Sequence, residues 1–188
     1  ADDEPSSSSQ GYGLNPPAVG VDFFVGPYQD ADSVDNPLTQ VFYDAVDSLG
    51  IPYEGIGIGY GDGVIDNERF GMRRFVYYNN SGNPINGEPS TPLHYYNYMN
   101  GIWKNGQKMA YGGDGVSAAL GANLDIPADY FFPGDTDPYA WGTGGIDVEP
   151  WTEVTSGNPP ADRRFIQAAG PFTLEPGDYN NITVGIVW

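Results

Sequence analysis

At 188 residues the chain is long enough for one domain with its own core, and folding at this size hides roughly 70% of the surface that the unfolded chain exposes. Seven basic against 25 acidic residues give a formal charge of −18, which sets it against nucleic acid and anionic membranes and favours divalent cations. Cysteine is absent, which excludes disulfides and thiolate metal sites, and no apolar run reaches the roughly 20 residues that span a bilayer.

Only 17% of residues are charged, whereas there are 27 glycines, 17 prolines and 14 tyrosines. That balance belongs to loop-rich extracellular β proteins. The predicted fold is mainly β, a β-sandwich-like domain with two short helices and long Gly/Pro/Asn-rich loops. Residues 1–20, acidic and then Ser-, Gly- and Pro-rich, read as an N-terminal arm or linker, and 21–188 as a single extracellular module. Ending in strand-like sequence, the module is expected to be part of a longer chain.

In chain order, 19–25 reads as a strand ended by Gly26-Pro27. Asn36-Pro37 has the signature of a helix start and Gly50 of a stop, with Leu38, Val41, Phe42, Ala45, Val46 and Leu49 on one face. The GIGIGYGDG run within 53–63 suits either a tight strand or a loop approaching another backbone. A strand is predicted over 70–80 with aromatics on both faces, the mark of a central strand. Thr91 or Ser90 with Pro92 opens a second helix, closed by Asn105-Gly106, in which Leu93, Tyr96, Met99 or Asn100 and Trp103 are spaced to face the core. Short strands follow at 108–111, 129–132, 163–169, 172–175 and 181–188.

Two acidic stretches offer the oxygens that a hard cation needs. One is Asp62, Asp66, Asn67 and Glu68; the other is Asp30, Asp32, Asp35 and Asn36. These residues are solvated turn acids, or partners of Arg69, Arg73, Arg74, Arg163 and Arg164, or ligands of Ca2+. The cost of crowding carboxylates on short loops favours the cation. In the turn at 133–138 the aspartates read as acceptors for backbone N–H groups. The lone histidine, His94, reads as structural, and a carboxylate-based hydrolase finds no marked acid among these residues. Exposed aromatics would suit a carbohydrate-binding surface, with Tyr139, Trp141 and Tyr77 as contacts and Tyr95 and Tyr98 as further members.

Four runs, GIGYGDGVIDNERFGMRRFVYYNN, YYNYMNGIWKNGQKMAYGG, FPGDTDPYAWGTGG and DRRFIQAAGPFTLEPGDYNNITVGIVW, together resemble a module of large secreted and cell-surface proteins of Bacteroidota exported by the type IX secretion system. The likeness covers residues 21–188. It implies an extracellular, noncatalytic, β-rich domain whose partners are other surface proteins or further modules of the same chain. It also implies O-glycosylation at Asp-Ser/Thr-apolar tripeptides, here at Ser33 and Ser48.

Overall fold

The computed structural model describes residues 19–41, 57–158 and 161–187. They are mostly short strands and loops with few helices, arranged as three two-stranded antiparallel ladders. Strand β1 (Gly20–Val25) pairs with β6 (Thr183–Val187), Val21 opposite Ile186 and Phe23 opposite Val184. Strand β2 (Arg74–Asn79) pairs with β5 (Arg163–Ala168) from Arg74 opposite Ala168 to Asn79 opposite Arg163. Strand β3 (Ala110–Tyr111) pairs with β4 (Asn123–Pro127).

The predicted central strand is flanked on both sides. Opposite β5, the Phe75 N–H donates to the Asp129 carbonyl at 2.9 Å and the Phe75 carbonyl accepts the Phe131 N–H at 3.0 Å. Side chains on β2 alternate across the pleat. Val76 and Tyr78 enter the core, while Phe75 stacks on Phe165 at 5.5 Å.

That core is a run of edge-on and tilted rings. Tyr78 meets Tyr98 at 5.3 Å, Tyr98 meets Trp103 at 5.5 Å, Trp103 meets Phe131 at 5.8 Å and Phe131 meets Trp151 at 4.5 Å. Such pairs add about 0.5–1.5 kcal/mol each beyond their buried area. Their polar tips are satisfied by loops: the Tyr98 hydroxyl donates to the Gly87 carbonyl at 2.6 Å and the Trp103 indole N–H to the Gly115 carbonyl at 2.8 Å.

Both helix expectations need correction. Residues 37–41 are not helical, and the rest of the first predicted helix lies outside the described residues. Asn36 does not cap a helix there, because its carbonyl accepts the Gly61 N–H at 2.9 Å and its own N–H goes to Glu68. The second helix, Pro92–Met99, is capped by Thr91 as expected but ends at Asn100, ahead of Gly101 at φ +65°. Its core residue is Tyr98; Leu93, Tyr96 and Met99 are exposed. Trp103 reaches the core from the turn beyond.

Residues 172–175 form no strand. Residues 57–63 form a turn that approaches a neighbouring backbone: Gly59 has φ +95°, and a Cβ there would lie 2.7 Å from the Asn67 carbonyl oxygen.

Candidate functional site

The two acidic stretches, some 30 residues apart in sequence, interlock. One Asp66 carboxylate oxygen accepts the backbone N–H groups of Asp32 and Ser33 at 2.8 and 2.9 Å. In the other direction Asp35 accepts the Gly63 N–H at 2.8 Å. Between these, Glu68, only 2% exposed, accepts the Asn36 N–H at 2.5 Å. Local bonds brace each loop: the Asp32 carboxylate accepts from Val34 N and Asn36 Nδ2, the Asp62 carboxylate from Val64 N and Asn67 Nδ2. Asp66 and Ser33 hold left-handed backbone, φ +57° and +67°, where their N–H and carboxylate groups meet.

Asp30 lies elsewhere. Its carboxylate takes the Thr173 N–H at 2.6 Å and the Thr173 hydroxyl at 2.8 Å. Arg69, Arg74, Arg163 and Arg164 are engaged by groups other than the loop acids. Arg69 covers the Tyr28 ring at 3.6 Å and donates to the Gly26 carbonyl, Arg74 pairs with Asp129, Arg163 with Glu153 and Arg164 with Glu88. Among the described residues no ion pair involves Asp32, Asp35, Asp62, Asp66 or Glu68. Two oxygens in this unit, Asp35 Oδ1 and Asn67 Oδ1, are buried with no hydrogen-bond partner. Also among the described residues, no three carboxylate or histidine side chains converge as a metal-binding group.

A buried charge cluster that sequence reading missed sits between β2 and the 129–131 segment. Asp129, 8% exposed, accepts from Arg74 at 2.9 Å and Lys108 at 3.1 Å. Burial holds the Arg74 guanidinium and the Lys108 ammonium below their ordinary pKa, and Asp129 opposes that shift in both.

The aromatic candidates separate. Tyr139 and Trp141 line one cleft of about 220 Å³ together with Tyr60, Phe70, Met72, Arg73, Tyr130 and Asp137. Tyr77 is not in it: its ring meets Phe131 and Phe132, and its hydroxyl donates to Glu153. Tyr98 is fully buried and Tyr95 lies on the exposed side of its helix.

The cleft wall is built by the 133–138 turn. The Asp137 carboxylate accepts the Trp141 and Gly142 N–H groups at 2.9 and 2.7 Å, the backbone-accepting role that the turn's composition predicts. Left-handed residues bracket it, Phe132 at φ +49° and Ala140 at φ +54°. Opposite, the Tyr130 hydroxyl donates to the Met72 carbonyl at 2.7 Å. Burial pushes the Tyr60 and Tyr130 phenols up to about 12 each.

Ser33 is exposed, whereas Ser48 lies outside the described residues. His94 accepts from the Ser90 N–H at 3.3 Å, in keeping with its structural reading. Compared with family models, curated proteins and solved structures, the chain finds no match.

Proposed function

We propose that this chain is a noncatalytic structural and interaction module of a secreted or cell-surface protein, β-sandwich-like, whose acidic loop pair is stabilised by calcium. The observation that supports it is the interlock of 32–36 with 61–68. It gathers five carboxylates onto two tied loops, with no arginine pairing to them among the described residues and two buried oxygens unmatched. Hard oxygen donors of this kind suit calcium, with Asp35 and Asn67 as its first ligands and Asp32, Asp62, Asp66, Glu68 and Asn36 as the supporting set. Asp30, engaged with Thr173, stands outside that set.

At about 10 mM calcium a site of extracellular strength stabilises by about 1.4–2.7 kcal/mol, which raises the melting temperature by about 3–10 °C. Differential scanning calorimetry with calcium and with EGTA reads this directly, and equal melting temperatures reject the cation. The resemblance to type IX secretion modules and the exposed Ser33 support a surface location with O-glycosylation at Ser33 and Ser48. An intact mass without added hexose rejects the modification.

A second reading is carbohydrate binding, supported by Tyr139 and Trp141 lining one cleft. Glycan-array binding that disappears in Tyr139→Ala would favour it.

A further inference from the structure

We propose that the open edge of strand β6 pairs with the same strand of a second copy of this chain, antiparallel about Gly185, to give a four-stranded sheet across a twofold axis. The interface lies apart from the acidic loops and the cleft and depends on neither.

The β1–β6 ladder has one edge engaged and one open. On the β1 side Gln167 Nε2 donates to the Val21 carbonyl at 3.1 Å, so that edge is turned to the rest of the molecule. Strand β6 pairs with β1 alone, and among the described residues no other backbone group hydrogen-bonds to 183–187. An open edge presents a row of unpaired N–H and C=O groups, which protected edges blunt with charges, prolines or bulges. Residues 181–187, NITVGIV, carry no charge and no proline, and the ladder's irregularity falls between Phe23 and Val25 on the other strand. Apolar surface also grows toward this edge. Val21 and Phe23 are half-buried, while Ile186 and Val184 opposite them are 63% and 40% exposed. The apolar face of the ladder thus continues past its last strand.

Charge selects the occupant. At −18 most of the surface repels a second copy, and β6 is a stretch where two copies meet without like charges. Paired about Gly185, Val184 faces the partner's Ile186 and Thr183 faces the partner's Val187, β-branched pairs that stabilise antiparallel strands. Gly185 faces itself, and two bare glycines make a weak centre. Phe24, which the irregularity leaves out of register, lies across it: a Cβ on Gly185 would sit 2.2 Å from the Phe24 ring. That ring is 57% exposed, and pairing sets it beside its symmetry mate over the two glycines. The one charged residue of the ladder, Asp22, stands opposite Gly185 on β1. Three strand spacings, about 14 Å, then separate the two Asp22 residues, more than the Debye length of about 8 Å at physiological salt.

Sedimentation velocity on the full chain from about 5 to 500 μM tests this. Monomer is expected to give way to dimer with a Kd of about 100 μM or tighter, the strength of a small interface, and association should tighten about twofold or more as NaCl rises from about 20 to 500 mM. Ile186→Lys should weaken the dimer at least about tenfold although it lowers the net charge, and Phe24→Ala at least about fivefold, with circular dichroism melts checking that both fold. Leu93→Lys, at an equally exposed apolar position on the Pro92–Met99 helix, should leave it unchanged. On the parent chain the NMR amide signals of 183–187 should move with concentration, which reads the edge even where a variant does not fold. A monomer throughout, a dimer indifferent to Ile186→Lys or Phe24→Ala, a dimer lost in Leu93→Lys, shifts confined to other residues, or association weakened by salt each overturns the assignment.

Discussion

Replacing Glu68 with alanine tests whether the acidic loops hold the molecule together. Its Oε1 is the acceptor for the N–H of Asn36, which is itself only 7% exposed. Truncation leaves that buried donor unmatched, at about 1–3 kcal/mol, and loses methylene burial worth about 0.8 kcal/mol per group. A total of about 2–4 kcal/mol lowers the melting temperature of a domain this size by about 5–12 °C. Glu68→Gln keeps an acceptor of the same length and loses only the charge-assisted part of the bond, about 1 kcal/mol and about 2–4 °C. Circular dichroism melts of the two variants and the parent are sufficient. If alanine shifts the midpoint by less than about 1 °C, or glutamine harms as much as alanine, the Asn36 bond is not what matters. Combining Glu68→Ala with Asp66→Ala, which cuts the other end of the interlock, should give a non-additive loss of about 0.5–3 kcal/mol, since both act on one loop pair.

Three further perturbations test other parts of the structure. Asp129→Ala leaves the Arg74 guanidinium, with its side chain 15% exposed, buried beside Lys108 without its carboxylate, and urea unfolding should report a loss of about 3–5 kcal/mol. At alkaline pH the raised phenols of Tyr60 and Tyr130 set the sign. The unfolded chain loses these protons near pH 10 and the folded chain near 12, so their contribution is complete below pH 10 and lost as pH rises through 12. Stability should fall by about 2 kcal/mol per group across that window, followed by urea midpoint and phenolate absorbance; a flat profile refutes it. Gly142→Ala would place a Cβ 2.4 Å from the Tyr130 ring and 2.9 Å from the Asp137 carboxylate. The ring must move, at about 1–3 kcal/mol, and glycan binding in the cleft should weaken with it.

The parts of the fold that could be read from sequence are those with a local signal. Strands β1, β2, β5 and β6 carry β-branched and aromatic residues, and the Thr91-Pro92 start was readable because cap and proline adjoin. Strand β4 was missed: NLDIP has two apolar residues and ends in proline, a weak strand pattern. The Pro92–Met99 helix was given the wrong face because Tyr98, about 140° round the helix from Leu93, outcompetes the aliphatic stripe by entering the aromatic run with Tyr78 and Trp103. At the candidate site the acids were legible as two clusters, but not their union. Nothing local shows that the Asp66 carboxylate will meet the backbone of Asp32 and Ser33. Likewise Asn36 carried a helix-cap signature that the long-range bond to Glu68 overrode.

Two-stranded ladders are marginal by themselves, so what holds these three in place decides how firm the fold is. Ties distant in sequence do that work: Asp30 to Thr173, Tyr28 with Asn180 in both directions, Arg69 to Asn181 and Gln167 to the Val21 carbonyl. Each is worth about 0.5–1.5 kcal/mol, and together they tie the loops at 26–30 and 173–181 to one another and to the strands. The acidic loop pair extends this network to the cleft. Gly61, whose N–H is held by Asn36, adjoins Tyr60, and Tyr60 is both tied to Gln29 and part of the cleft wall. The interlocked acids and the cleft wall thus share one stretch of chain, with Gly61 held by the acidic loops and Tyr60 beside it held by Gln29.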